Sequence, residues 1–319
     1  MTGAPPSCWV VTDGKPGMEN QCLGLAEAMG LVPLVKRVRL RFPWKQLSPA
    51  LLRFGNARSL AAGSDPIAPP WPDVLIATGR HSVSSSLAVR SAHPAGFRIQ
   101  IQDPGIRPSL FDLVVVPRHD RLRGDNVMVT AGALHRVIPA VIRAAAERFA
   151  PAFADLGRPL VAVLIGGANG AYRMDAAATT ELAARLVDLA ESGAGLLVTP
   201  SRRTGTANEA ILRRALAGRS AFLWDGTGEN PYFALLGLAD AIVVTPDSVS
   251  MVSEACSTGK PVLIAELPGG SAKFDAFHRG LRDDGITRRF EGRLEQWSYP
   301  PLDDTARVAT EIWRRLRLR

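Results

Sequence analysis

Cysteine is scarce in this chain, with only three among its 319 residues. Cys8, Cys22 and Cys256 lack the close spacing that metal-binding cysteines show. Three such residues also cannot build a disulfide framework. They are therefore expected to be small buried thiols of a protein from a reducing compartment.

Long apolar stretches are also absent. No run approaches the roughly 18 apolar residues that a membrane-spanning helix needs. The segment Met1–Asp13 has no basic region ahead of its short apolar run, so it does not look like a signal peptide. These absences predict a cytoplasmic protein and leave open a peripheral position on the inner membrane.

Aromatic residues make up only 6% of the chain, and the net charge is +8. The excess of positive charge suits a nucleotide, an anionic membrane surface or a nucleic acid. Single-strand binders interleave aromatic and basic residues, and this chain does not. Nucleic acid is therefore not expected as a partner.

Short β-rich runs alternate with helical stretches along the chain, which is typical of parallel sheets with right-handed crossovers. The length allows two domains, and the prolines and glycine of Phe149–Pro159 indicate the break. The predicted domains are 1–150 and 151–290, with a segment 291–319 that crosses back to the first. The expected fold class is α/β, with two Rossmann-like domains whose parallel sheets face a cleft.

Ligands of such folds bind where strands end, so the loops that follow strands are the candidate sites. An apolar strand ends at Thr245, and Asp247 or Ser248 then predicts a helix cap. A helix start attracts phosphate through its free N–H groups and its dipole. The remaining candidates here are Ser250, Met251 and Glu254, the last as an acceptor for ribose hydroxyls. The alternative is that these residues only cap a helix.

Three further loops of the second half follow predicted strands. The glycine loop would let a ligand approach the backbone, the adjacent arginines could bind phosphate bidentately, and the third loop suits a base or sugar. An ordinary turn is the alternative for each. The candidate ligand-binding residues are Gly166, Gly167 and Asn169; Arg202, Arg203 and Thr204; and Trp224, Asn230 and Tyr232.

Polar loops also follow the strands of the first half. His81 is a candidate general base because the pKa of a free histidine lies near neutrality, and Asp13 and Asp103 are rival candidates. A structural hydrogen bond is the alternative for each. The same loops contain further candidates, which would contact the acceptor substrate of a transfer reaction: Lys15, Gly17, Asn20, Gln21 and Arg80. The sequence shows no metal cluster, so no metal is expected.

Two segments are basic and apolar. Val35–Phe42 alternates apolar residues with arginines and predicts a half-exposed strand. The first basic, apolar segment overlaps this strand and comprises Arg37, Arg39, Arg41 and Lys45 with Phe42, Trp44, Leu47, Leu51, Leu52 and Phe54. Thr305–Arg319 predicts a basic amphipathic helix. Either segment could bind an anionic membrane. The alternative for the helix is that its apolar face packs on the protein.

The helix at Ser248–Glu254 and the two-domain layout resemble the GT-B glycosyltransferases, particularly those that add N-acetylglucosamine to lipid-linked peptidoglycan precursor. The resemblance implies that Ser248 and Ser250 bind a donor diphosphate and that Glu254 binds ribose. The chain departs from that family in having Asp247-Ser248 where a glycine begins the helix.

A second set of motifs covers nearly the whole chain: Lys15-Pro16-Gly17 with Asn20-Gln21, Gln100–Pro104, His119-Asp120, Leu164–Gly167, Thr199–Thr204, Glu229–Tyr232 and Val244–Lys260. Together these motifs resemble the mitochondrial fission "elongated mitochondria" (Elm) family. Plant members of that family recruit a dynamin-related protein at the mitochondrial surface. The abundance of Ala, Arg and Gly suggests a bacterial member, for which a role in mitochondrial fission does not follow.

The first hypothesis is a metal-independent GT-B glycosyltransferase. It would move a sugar from a nucleotide-sugar, UDP-linked by preference, to an acceptor that could be lipid-linked. No tightly bound cofactor is expected, and a nucleoside diphosphate would be the product. The alternative is a non-catalytic adaptor that keeps the fold and recruits a protein partner. A dinucleotide-dependent enzyme is disfavoured because Asp13–Gly17 lacks the G-x-G-x-x-G spacing.

Overall fold

The computed structural model describes residues 5–46 and 59–318 and divides the chain into two units. One unit comprises Met1–Arg136 and Asp303–Arg319, and the other is Val137–Leu302. The break after Arg136 falls earlier than the predicted break after residue 150. The reason is that the helix Pro139–Phe149 packs along the helix Tyr232–Leu238 of the second unit.

The first unit contains a six-stranded, fully parallel sheet with the order β2-β1-β3-β4-β5-β6. Alternate residues of β1 face opposite sides: Val10 packs with α1 and α9, whereas Val11 packs with α2. The strands are β1 Cys8–Thr12, β2 Pro33–Arg37, β3 Val74–Thr78, β4 Phe97–Ile101, β5 Leu113–Pro117 and β6 Val127–Thr130. The helices are α1 Pro16–Ala28, α2 Val83–Ala92 and the C-terminal α9 Asp304–Arg317.

The second unit has its own parallel sheet with the order β12-β11-β10-β7-β8-β9. The continuous apolar run of β7 is buried on both faces, because helices cover both sides of the sheet. The strands are β7 Leu160–Ile165, β8 Gly195–Pro200, β9 Ala221–Leu223, β10 Ala241–Val244, β11 Val262–Ile264 and β12 Thr287–Arg289. The helices are α3 Pro139–Phe149, α4 Ala176–Glu191, α5 Thr206–Leu216, α6 Tyr232–Leu238, α7 Val249–Cys256 and α8 Ala272–Asp283. The predicted fold class of two Rossmann-like domains with parallel sheets is thus confirmed.

The strand orders place a topological switch point in each sheet, where ligands of doubly wound folds bind. In the first sheet it lies between β1 and β3, and in the second it lies between β7 and β10. The loops that follow β7 and β10 carry Gly166-Gly167 and Thr245–Ser248. Two of the four strand-end loops predicted for the second half therefore meet at its switch point.

The predicted strand Val35–Phe42 is wrong in its extent, because β2 ends at Arg37. Beyond it, Leu40 makes only an isolated bridge to Leu60, and Phe42 is 76% exposed. Lys45 is exposed as well, whereas Trp44 packs against the cluster around Leu40. The apolar residues predicted to continue this segment, Leu47, Leu51, Leu52 and Phe54, lie outside the described residues.

The C-terminal helix α9 packs on its own unit rather than presenting an apolar face to solvent. Val308 and Ile312 are fully buried in the cluster that also contains residues of α1. Of its arginines, Arg307 pairs with Asp304, and both Arg314 and Arg315 pair with Glu311. The packed alternative therefore describes this helix.

The three cysteines are buried free thiols, as predicted. Burial raises the pKa of Cys8 to about 12, so this thiol stays protonated. Within the described ranges, no helix combines the length and the apolar character that crossing a membrane would require.

Candidate functional site

The start of α7 has the features of an anion site. Ser248 is the N-cap: its Oγ accepts a hydrogen bond from the N–H of Met251 at 3.3 Å. Within the described residues, the N–H groups of Val249 and Ser250 have no hydrogen-bond acceptor, and the Ser250 hydroxyl has no partner either. These half-exposed groups lie at the positive end of the helix. They offer three donors to one anion.

Asp247 is a buried hub and not the helix cap, which corrects one of the two predicted caps. Its side chain is fully buried and forms an ion pair with Arg203 at 2.7 Å. One carboxylate oxygen accepts from the Gly167 N–H at 3.0 Å, and the other accepts from the Thr245 hydroxyl at 2.6 Å. Its main-chain carbonyl accepts from the side-chain amide of Asn169. Asp247 and Asn169 therefore join the loops after β7, β8 and β10, and both oxygens of the Asp247 carboxylate are already bonded within the protein.

The two glycines after β7 are required by the packing of the protein itself. A Cβ on Gly167 would lie 2.1 Å from the carbonyl oxygen of Arg203, and a Cβ on Gly166 would lie 2.2 Å from an Asp247 oxygen. The Gly166 carbonyl accepts hydrogen bonds from the hydroxyls of Ser201 and Thr204. The tight-turn alternative thus explains both glycines without a ligand.

The adjacent arginines after β8 have different environments. Arg203 neutralises the buried Asp247 and also donates to the Gly167 carbonyl. Arg202 is exposed and has no ion-pair partner in the described chain. Of the predicted phosphate-binding pair, only Arg202 is therefore free to meet a ligand.

Glu254 lies in the second turn of α7 with 8% of its surface exposed. Burial raises the pKa of Glu254 to about 7, although a hydrogen bond from the Tyr232 hydroxyl partly opposes this rise. Burial also raises the pKa of Tyr232 well above its usual range. Tyr232 therefore stays protonated and donates to Glu254, a carboxyl that changes charge near neutral pH.

The loop after β9 is held largely by its own hydrogen bonds. The indole N–H of Trp224 donates to the Thr227 carbonyl at 3.0 Å. The Asn230 side chain accepts from the N–H of Tyr232 at 3.0 Å and so fixes the start of α6. Trp224 and Asn230 have local structural roles, and Tyr232 connects this loop to α7.

The candidate bases of the first unit are largely engaged by their neighbours. Burial would raise the pKa of Asp13, but the ion pair with Lys15 at 2.6 Å outweighs it, and the pKa is lowered. Burial lowers the pKa of His81, and its Nδ1 accepts from the N–H of Leu40 at 3.0 Å. The neutral ring then carries its proton on Nε2. The Nε2–H of His81 is then a hydrogen-bond donor, and a role of His81 as a general base would require the bond between Nδ1 and the Leu40 N–H to break.

The other predicted residues of the first unit are more dispersed. Asp103 accepts from the Gly105 N–H in an exposed turn. Gln21 is buried in α1 and donates to the Gly17 carbonyl, and Asn20 lies beside it on the same helix. Arg80 follows β3, and within the described chain its buried Nε and Nη2 have no hydrogen-bond partner. Arg80 thus has unmet hydrogen-bonding capacity at buried atoms of its side chain.

Two hydroxyls that hold the second unit's loops together, Ser201 and Thr245, are absent from the predicted set. The only signal available for them is their position just after a strand. In the part of the chain that the structure describes, no three His, Cys, Asp or Glu side chains are placed to hold a metal ion together.

Solved structures confirm the GT-B fold. MurG of Acinetobacter baumannii superposes with a TM-score of 0.51 at 14% identity, covering 98% of this chain and 90% of that one. The UDP-GlcNAc 2-epimerase of Methanocaldococcus jannaschii, in complex with UDP-GlcNAc and UDP, gives a TM-score of 0.54 at 12% identity, with 98% and 100% covered.

Sequence relatives identify the family. The mitochondrial fission protein ELM1 of Arabidopsis thaliana is 31% identical, over 97% of this chain and 91% of its own length. An uncharacterised protein of Rickettsia prowazekii (strain Madrid E) is 24% identical, over 95% and 97%. The family model for mitochondrial fission ELM1 matches residues 16–316. The chain therefore belongs to the mitochondrial fission ELM1 family.

Proposed function

We propose that this protein is a GT-B glycosyltransferase that binds a UDP-linked sugar at the start of α7 and transfers the sugar to an acceptor. The observation that carries the proposal is a set of donors at this helix start that have no partner among the described residues: the N–H groups of Val249 and Ser250 and the Ser250 hydroxyl. These donors lie beside the switch point of the second sheet, and the GT-B fold to which that sheet belongs is shared with enzymes that act on nucleotide-sugars.

The donor diphosphate would lie against these groups. Two main-chain N–H groups and the helix dipole attract negative charge without needing to reorganise during the reaction. Arg202, which is exposed and forms no ion pair with any residue that the structure describes, would add a side-chain cation. Together they would stabilise the charge that develops on the leaving diphosphate when the glycosidic bond breaks.

Glu254 would bind the ribose. Its carboxyl already accepts from Tyr232, and an ionised carboxylate can accept further hydrogen bonds from ribose hydroxyls. Hydrogen bonds to the charged form favour ionisation. Nucleotide binding would therefore lower the pKa of Glu254 and release a proton near pH 7. The uracil base is assigned by analogy with the structural relative that holds UDP.

The acceptor would be met by the first unit. Arg39, Arg41 and Lys45 are exposed around the protruding Phe42. Basic side chains and an exposed aromatic ring suit an anionic membrane surface, and hence a lipid-linked acceptor. Removing the acceptor proton would fall to Asp13 or His81, once substrate binding displaces Lys15 or the Leu40 N–H.

The proposal is tested by calorimetric titration of the folded protein with UDP. We expect binding at submillimolar concentration, and absence of binding at millimolar concentration would contradict the proposal. Val249→Pro removes one of the two free N–H groups, and the extended backbone of Ser248 (φ −123°, ψ 97°) accepts a following proline. One lost bond to a charged group weakens binding about tenfold or more.

The matched control is Ala272→Pro. Ala272 is the first residue of α8, it is exposed, and the preceding Ser271 is an extended N-cap like Ser248. The same substitution is made at a helix start outside the proposed site. Weakening of UDP binding by both variants alike would show that the effect is not specific to α7.

A non-catalytic adaptor is the second candidate, and the 31% identity to a plant mitochondrial fission protein favours it. The engagement of Asp13 by Lys15 and of His81 by Leu40 is also expected of a protein without a catalytic base. Under this alternative, Arg202→Ala leaves the cellular role intact. A phenotype equal to deletion of the gene would reject the adaptor.

A further inference from the structure

A cavity of about 550 Å³ opens in the second unit beside the carboxyl end of β11. Tyr172 and Gly269 form part of its wall and pair with each other in an antiparallel bridge. None of Ser248, Ser250 or Glu254 lines it. Its volume is in the range of pockets for small organic ligands, roughly 300–1,000 Å³.

Two helices present one face each to this cavity. On α8 the lining residues recur with the spacing i, i+3, i+4, i+7, and they are Asp275, His278, Arg279 and Arg282. On α4 the same spacing brings Glu181 and Arg185 to the wall. Residues at this spacing share one side of a helix. Polar side chains are thus concentrated on the part of α8 that lines the cavity.

Several charges of the wall are already neutralised. Arg185 pairs with Glu181, and Glu266 pairs with Arg289. Within the described residues, Arg279, Arg282 and Asp275 form no ion pair. The cavity therefore offers two free guanidinium groups against one free carboxylate. An anion would be attracted, and one that also carries hydrogen-bond donors would suit Asp275.

His278 directly precedes Arg279 on α8 and is 5% exposed. Its Nε2 contacts the Pro246 carbonyl at 2.8 Å, which makes Nε2 the donor. Its Nδ1 is buried and has no hydrogen-bond partner in the described chain. Burial lowers the pKa of His278, so the ring is neutral and Nδ1 is an unused acceptor. An unused buried acceptor is uncommon and calls for a partner.

We propose that this cavity binds a phosphorylated sugar or polyol. The guanidinium groups of Arg279 and Arg282 bind the phosphate, for which their planar donor sets are suited. Asp275 and the Nδ1 of His278 accept hydrogen bonds from hydroxyl groups. The cavity is large enough for an organic ligand as well as the phosphate. This inference does not rest on nucleotide binding at α7, because the two sites share no side chain named above.

The test is an NMR titration that observes the ring nitrogens of His278, assigned with a His278→Gln variant, while glucose 6-phosphate or inorganic phosphate is added. We expect glucose 6-phosphate to shift the His278 signals in a saturable way and to bind more tightly than inorganic phosphate. Arg279→Gln with Arg282→Gln should weaken this binding at least tenfold. Asp275→Asn should reduce the preference for the sugar phosphate.

Arg213→Gln with Arg214→Gln is the matched control. It removes the same charge from two exposed arginines on α5 that do not line this cavity. The proposal is overturned if the His278 signals do not move at millimolar glucose 6-phosphate, or if both double variants weaken binding equally. Equal affinity for the two probes would overturn the assignment to a sugar or polyol. UDP should neither reproduce nor block the shift, so a failure of UDP binding at α7 leaves this result interpretable.

Discussion

Glu254 provides a quantitative prediction for stability. Its carboxyl is buried in α7, it accepts a hydrogen bond from Tyr232, and its pKa is raised from the usual 4.5 to about 7. The folded protein therefore holds a proton that the unfolded chain releases at lower pH. The contribution of this group is complete below pH 4.5 and is lost as pH rises through 7.

The magnitude follows from linkage. Because the unfolded chain ionises this carboxyl more readily than the folded protein does, Glu254 lowers the free energy of unfolding, relative to a side chain that stays neutral, by about 1 kcal/mol at pH 5 and about 3 kcal/mol at pH 8. A glutamine is neutral at both values and can still accept the Tyr232 hydroxyl. We therefore expect Glu254→Gln to increase the free energy of unfolding, and the gain over the natural protein should grow by about 2 kcal/mol between pH 5 and pH 8.

Urea unfolding of both proteins at the two pH values measures this gain. Glu229→Gln is the control, because Glu229 is an exposed residue whose ion pair with Arg148 contributes little. The control should change the free energy of unfolding by less than about 1 kcal/mol at either pH. A gain from Glu254→Gln that does not grow with pH would refute the account of Glu254 as a group titrating near 7.

Three further predictions concern the loops around α7. Arg203→Ala should lower the free energy of unfolding by about 3 kcal/mol, because it leaves the buried carboxylate of Asp247 without its cation. Arg202→Ala should change the free energy of unfolding by less than about 0.5 kcal/mol. Equal losses for the two variants in urea unfolding would contradict the different roles assigned to the two arginines. Gly167→Ala should lower the free energy of unfolding by about 3 kcal/mol or more, since the φ of this residue is +152° and the new Cβ would meet the Arg203 carbonyl. Gly170→Ala is the control: the space around its Cβ is open, so its thermal unfolding should be nearly unchanged. The affinity for UDP, measured by calorimetry, should rise as pH increases through 7 and Glu254 ionises, and this step beyond the titration of UDP itself should be missing in Glu254→Gln.

Much of the fold follows from local pattern. The apolar run Leu160–Ile165 has no polar position, which predicts a strand buried on both faces, and the bounds of the run match β7. The alternation of Val35–Phe42 predicted too long a strand because polar and apolar residues also alternate in the non-strand segment beyond β2, where Leu40 forms an isolated bridge with Leu60. The three-residue strand β12 contains two exposed arginines and no apolar residue, so its sequence does not predict a strand.

The sequence predicted which loops form the candidate site, but it did not predict which side chains of those loops contact each other. A capping serine after a strand predicts the start of α7, and the structure confirms Ser248 in that position. The ion pair between Arg203 and Asp247 joins residues far apart in sequence, and so does the hydrogen bond between Tyr232 and Glu254. Only the sheet order brings these side chains together. From residue type alone, Arg203 and Asp247 were both predicted to contact a ligand. The structure shows that they form an ion pair with each other.

The most direct test of the central claim is a crystal structure of this protein with UDP bound. The account predicts the diphosphate within hydrogen-bonding distance of the Val249 and Ser250 N–H groups, and the ribose hydroxyls on Glu254. A nucleotide bound elsewhere, with the start of α7 unoccupied, would contradict it.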